Sequence, residues 1–227
     1  MLEGLSSGRK VGTFVKLPAL ESIDLCAASL DFCVIDYEHS QLDERDVLRL
    51  VRHARALAFP AVVRVPEVDR GLVNRLLEAG AAGLQLSSVR RVADVQALRD
   101  AALYAPEGAR SISLAHPAAG YGAIPLRDYI AGVERPLLVA QLETCETDDA
   151  LDEICAAGAD VVFLGLTDLL VDCGLDDAAA RERADAIAAA AERAGVVLGG
   201  FGRDDRFVYS VVSSDVALLR EAVAGVR

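Results

Sequence analysis

Val11-Gly12-Thr13-Phe14-Val15-Lys16-Leu17 runs directly into Pro18-Ala19-Leu20, and this junction decides between two folds. The run is apolar and rich in β-branched residues, as a first strand should be. An open nucleotide-binding sheet needs a glycine-rich loop immediately after that strand, so that backbone can approach phosphate. Leu17-Pro18-Ala19-Leu20 stands there instead. A closed (β/α)₈ barrel makes no such demand.

The rest of the chain repeats the same alternation. Further strands are expected at Phe32–Asp36, Ala61–Val65, Gly83–Ser87, Leu137–Glu143, Val161–Gly165, Val196–Gly199 and Phe207–Val212. Their shortness and their Val and Leu content suit strands covered on both faces. Between them lie helical patterns. Ser40 is the expected cap of a helix whose Val47, Leu50, Val51, Ala54 and Leu57 share a stripe. Asp69 and Gly80 bracket the next. Thr147, Asp148 and Asp149 read as the start of another, closed by Gly158. Ala178–Ala194 is helical by propensity, and Asp215 leads a last helix with Val216, Leu219, Val223 and Val226 on one face. Gly199-Gly200-Phe201-Gly202 reads as a flexible loop. The expectation is one α/β domain over residues 1–227, a (β/α)₈ barrel.

Composition narrows the function. Lys plus Arg number 23 against 35 Asp plus Glu, a net charge of −12, and there is no basic run. Nucleic acid is therefore an unsuitable partner. No apolar stretch reaches the roughly 18 residues of a membrane span, and Met1–Lys10 lacks a signal-peptide core. Cys26, Cys33, Cys145, Cys155 and Cys173 are odd in number and scattered, which predicts reduced thiols and a cytoplasmic protein.

Barrel enzymes keep their chemistry at the C-terminal strand ends, and polar residues concentrate there. Asp36-Tyr37-Glu38-His39 follows the second strand. Arg64 interrupts the valines of the third; a buried guanidinium needs an anion, either a neighbouring strand's carboxylate or that of a substrate. Gln141 and Glu143 share one face of the fifth strand. Gly165-Leu166-Thr167-Asp168 ends the sixth, so Glu143 and Asp168 can share a hard divalent cation. Either carboxylate can instead serve Arg64 or a helix N-terminus. His39 beside two acids suits a general base. His53, mid-helix, reads as a surface residue, and His116 lies in a loop that can approach the mouth. No lysine is expected at these strand ends, which disfavours Schiff-base chemistry.

Six motifs in order resemble the HpcH/HpaI aldolase family, the metal-dependent class II pyruvate aldolases. They are Asp36-x-Glu38-His39, Val63-Arg64-Val65-Pro66, Glu78-Ala79-Gly80-Ala81, Tyr104-x-Pro106-x-Gly108-x-Arg110, Gln141-x-Glu143-Thr144 and Gly165-x-x-Asp168-Leu169. The resemblance implies a barrel of the phosphoenolpyruvate/pyruvate type, with Mg²⁺, Mn²⁺ or Co²⁺ on Glu143 and Asp168. It implies Arg64 at the keto oxygen, His39 paired with Asp36 as base, and Gln141 in or behind the metal site. Glu38, Gly165 and Thr167 join Arg64 and Gln141 around the substrate, with backbone N–H groups near Thr167 holding its carboxylate. It also implies 2-oxoacid and aldehyde substrates and a homo-oligomer, commonly a hexamer. Glu78 replaces the family's Asp, Ser87 its Pro, Ser111 a Gly, and Leu166, Thr167 and Leu170 its smaller residues.

An aldolase is therefore expected. A decarboxylative or Claisen-type, citrate-synthase-like condensation and a non-catalytic barrel are the alternatives. The chain, at 227 residues, is shorter than the roughly 250 of a typical barrel. Only Gly200–Arg206 separates the last two strands, at most about 25 Å when extended. The seventh helix is predicted to be missing or a single turn, leaving an apolar flank.

Overall fold

The computed structural model describes Leu5 and residues 8–226, so the outermost ends of the expected domain lie outside the described residues. Eight strands, β1 (Lys10–Val15), β2 (Phe32–Asp36), β3 (Ala61–Val65), β4 (Gly83–Leu86), β5 (Leu137–Leu142), β6 (Val161–Leu164), β7 (Val197–Phe201) and β8 (Tyr209–Ser214), close into a parallel barrel in chain order. Around them run α1 (Leu20–Ala27), α2 (Glu44–Ala56), α3 (Arg70–Ala79), α4 (Val92–Ala102), α5 (Leu126–Gly132), α6 (Leu151–Cys155), α7 (Leu166–Asp172), α8 (Asp177–Ala194) and α9 (Asp215–Ala224). Every residue of β2, β3 and β5 is buried, as strands between a packed interior and a helical ring must be. Inside the barrel sit Phe14, Phe32, Val34, Val62, Phe163 and Tyr209. A second, larger cluster seals the strands against the helices.

Several boundaries differ from expectation for local reasons. Ser40 does not cap α2, because its hydroxyl donates to the Asp36 carbonyl in the turn after β2. Asp43 caps instead, accepting from Asp46 N at 2.8 Å in a capping box. Asp149 serves a neighbour: its carboxylate accepts from Val92 N, at the start of α4, at 2.8 Å, and α6 begins only at Leu151. Asp69 and the left-handed Gly80 bracket α3 as read. The last helix is led by Ser214, while Asp215 accepts from Lys16 N and Leu17 N beyond β1. Its apolar face is uncovered: no residue of α9 is buried, and Leu219 is 54% exposed.

No helix lies between β7 and β8. Of the glycines expected in a loop, Gly199 and Gly200 are part of β7 itself, and Gly202 follows it. A Cβ on Gly199 would stand 2.7 Å from the Tyr209 carbonyl oxygen, and one on Gly200 would collide with the Phe207 ring. Phe207 is 1% exposed and belongs to the outer cluster. It packs against Gly200 of β7 on the flank that the missing helix leaves, and α8 also packs on this strand, while Val197 and Leu198 stay partly exposed.

The expectation of five free thiols is corrected. Cys145 and Cys173 form a disulfide, with Cα atoms 5.4 Å apart across 28 residues of chain. Scatter in sequence is not scatter in space: parallel topology brings the end of β5 beside the helix that follows β6. Cys26, Cys33 and Cys155 are free and buried.

Candidate active site

Strand register assembles the site. Asp36 on β2 pairs in register with Arg64 on β3, which pairs with Gln85 on β4. The Arg64 guanidinium meets the Asp36 carboxylate side-on, Nε to Oδ1 at 3.0 Å and Nη2 to Oδ2 at 2.7 Å. Glu38 Oε2 lies 3.4 Å from Arg64 Nε, and the guanidinium rests over the Phe14 ring. Of the two anions that could satisfy Arg64, the neighbouring strand's carboxylate is thus present.

Asp36 is fully buried and saturated. Its Oδ1 also accepts from the backbone N–H of Glu38 at 3.2 Å and of His39 at 3.1 Å. Its Oδ2 also accepts from Lys16 Nζ. Burial opposes ionisation, but hydrogen bonds from Arg64, the charge of Arg64, and the Lys16 and His39 contacts together hold the carboxyl well below the usual carboxylate range.

Two expectations change here. Asp36 holds the backbone of His39, not its ring; the nearest carboxylate to His39 Nε2 is Glu38 Oε2, at 3.8 Å. A lysine does stand at a strand end: Lys16 directly follows β1, and its ammonium also donates to the His39 carbonyl at 3.0 Å. It is tied up as an ion-pair partner rather than free as a nucleophile. Lys16 carries little signal in the sequence, because it sits between Val15 and Leu17 with no acid or histidine beside it.

The second half of the site lies on β5 and β6. Glu143, just past β5, is buried. Its Oε1 accepts from Ser88 N at 2.7 Å and Ser88 Oγ at 2.9 Å, and its Oε2 from Gln141 Nε2. Gln141 in turn accepts from the buried Gln85 at 2.6 Å. Gln85 was not singled out in the sequence, although a lone amide in Gly83-Leu84-Gln85-Leu86 was the available signal. Burial pushes the Glu143 carboxyl up, and the charge of Asp168 adds to it despite those hydrogen bonds. Asp168 and Thr167 are exposed in the first turn of α7. Gly165 precedes them; a Cβ there would stand 2.7 Å from Glu143 Cβ and collide with its carboxylate. Ser87, replacing a proline, donates to Glu38 Oε1 at 2.7 Å.

Other candidates lie elsewhere. Glu78 ends α3 just before β4 begins, at the opposite end of the barrel from Glu143 in this chain. His53 bonds Asp24 on the outer surface at 2.7 Å. His116 is not at the mouth: it is buried edge-on to Tyr129 of α5, which leads into the start of β5.

Residues 10–221 match the family model HpcH/HpaI aldolase/citrate lyase. The chain belongs to this family. Similar relatives include the hydroxypyruvate/pyruvate aldolase of Roseovarius nubinhibens, 35% identical over 187 residues, spanning 80% of this chain and 72% of that one. The enzyme of the same name from Rhizorhabdus wittichii is 32% identical over 236 residues, spanning 94% and 92%. An HpcH/HpaI aldolase/citrate lyase family protein from Burkholderia cenocepacia superposes with a TM-score of 0.89 at 26% identity, covering 99% of this chain and 96% of that one. This HpcH/HpaI protein is accordingly an aldolase, a carbon–carbon lyase on a (β/α)₈ barrel. Among its described residues no helix is long and apolar enough to cross a membrane.

Proposed function

We propose that this aldolase forms the enolate of pyruvate or another 2-oxoacid and joins it to an aldehyde, or releases it in reverse. The supporting observation is Arg64. It is a buried guanidinium immobilised by Asp36 and Glu38, and among the described residues no acceptor meets its Nη1. An arginine so held donates to a keto oxygen and stabilises negative charge as it develops there.

The carboxylates fit a divalent cation such as Mg²⁺, Mn²⁺ or Co²⁺. Glu143 is buried and feels the charge of Asp168, and the glycine at 165 keeps side-chain bulk away from it. No group of three or more His, Cys, Asp or Glu gathers among the described residues. Two carboxylates, with water and substrate oxygens, are what a hard cation such as Mg²⁺ takes. When bound, the ion supplies Lewis-acid charge at the substrate's oxygens.

His39, 60% exposed at its side chain, takes the methyl proton, and Asp36 fixes the backbone that carries it. Glu38 orients the ring and Arg64 together. Gln141 holds Glu143, while Gly165 and Thr167 border the space left for substrate. The enzyme is a cytoplasmic homo-oligomer, a hexamer, with the uncovered face of α9 packed against a second copy.

Pyruvate in D₂O with Mn²⁺ or Mg²⁺, followed by NMR, tests the reading. Metal-dependent loss of the methyl proton signal is expected, abolished in Arg64→Ala and His39→Ala. Absence of exchange with every divalent ion overturns it.

A further inference from the structure

The Cys145–Cys173 disulfide spans the two segments that carry Glu143 and Asp168. Cys145 lies two residues past Glu143, and Cys173 caps the C-terminus of α7, whose first turn holds Asp168. The same two segments share a weaker tie, from Cys145 N to the Asp172 carboxylate at 2.7 Å. Otherwise α7 is thinly anchored: of its seven residues only Leu169 is buried. Glu143 and Asp168 are like charges that would drift apart if nothing held their segments together. The remaining cysteines are buried thiols in the core, whereas Cys145 and Cys173 are half-buried near the surface, within reach of a soluble thiol.

We propose that Cys145 and Cys173 form a redox-operated clasp that holds α7 beside Glu143, so that the oxidised enzyme binds a divalent metal more tightly than the reduced one. The clasp rests on the reading of Glu143 and Asp168 as metal ligands. Opening proceeds by thiol–disulfide exchange. A low-molecular-weight thiol attacks one sulfur, the S–S bond breaks, and a mixed disulfide forms. A second thiol resolves it and leaves with the first as their disulfide. Two electrons and two protons thus pass to Cys145 and Cys173. Closing is the reverse, with a low-molecular-weight disulfide as oxidant. The hydrogen bond from Cys145 N to the Asp172 carboxylate keeps the opened cysteines near enough to pair again.

Titration of the full-length protein with Mn²⁺ by calorimetry tests this, on oxidised protein and on protein reduced with a dithiol that is then removed. Alkylation and mass spectrometry count the thiols in each sample. Reduction is expected to weaken Mn²⁺ binding about tenfold, and a small-molecule disulfide to restore it. Cys145→Ser and Cys173→Ser should match reduced wild-type protein and ignore either treatment. Equal affinity in both states overturns the clasp and leaves the metal site standing. Five alkylated cysteines after oxidation also overturn it. No Mn²⁺ binding in either state overturns the metal reading and the clasp with it.

Discussion

Asp36 accepts Arg64 through two parallel hydrogen bonds, at 3.0 and 2.7 Å, between residues directly in register on adjacent strands. A fork held this way cannot rotate about its long side chain, so its position is set by the sheet itself. Asp36→Ala should therefore cost about 10²–10³ in kcat/KM, the scale of losing one preorganised donor. Steady-state kinetics checks this, and Arg64→Lys should fall similarly because an ammonium cannot reproduce the fork.

The same carboxylate makes folding sensitive to acid. The native pKa of Asp36 lies well below its unfolded value of about 4. Its contribution to stability is present above that value and is lost as pH falls toward the native one, because the unfolded chain then binds the extra proton. Urea unfolding from pH 6 down to pH 3 should show stability falling for the wild type. In Asp36→Asn the slope should be shallower, although that variant starts lower by about 3 kcal/mol for removing the bidentate partner of buried Arg64, which then keeps only Glu38.

Gly165→Ala should disturb the carboxylate site without removing any ligand. The new methyl group meets the Glu143 side chain, and overpacking of this kind costs about 1–3 kcal/mol. Loss of Mn²⁺ affinity by calorimetry, together with a lower melting temperature, is the expected pair of results. Glu143→Ala should abolish Mn²⁺ binding altogether.

Phe207→Ala should destabilise the barrel by about 3–5 kcal/mol, the cost of deleting a fully buried ring. Gly199→Ala should cost about 1–3 kcal/mol, because its methyl group meets backbone rather than a movable side chain. Denaturant unfolding reads both.

The barrel was legible because its strands are short apolar runs that must be covered on both faces, and because no glycine-rich loop follows the first of them. Arg64, Glu143, Gln141 and Asp168 were legible because polar residues at the ends of valine-rich strands are conspicuous. What escaped depends on who bonds whom. Asp36 and His39 are neighbours in sequence, so a side-chain pair was the natural reading; the turn instead aims the His39 backbone N–H at Asp36. Ser40 has the residue type of a cap, but its hydroxyl donates to the Asp36 carbonyl. Cys145 and Cys173 carry no spacing signal, since only closure of the barrel makes them adjacent.

Phe207 shows how unevenly a shortened barrel distributes its dependence on individual residues. Between β7 and β8, where no helix lies, the Phe207 ring packs against β7 and fits only because position 200 is glycine. The two positions should therefore accept change only together. A larger residue at 200 would need a smaller one at 207.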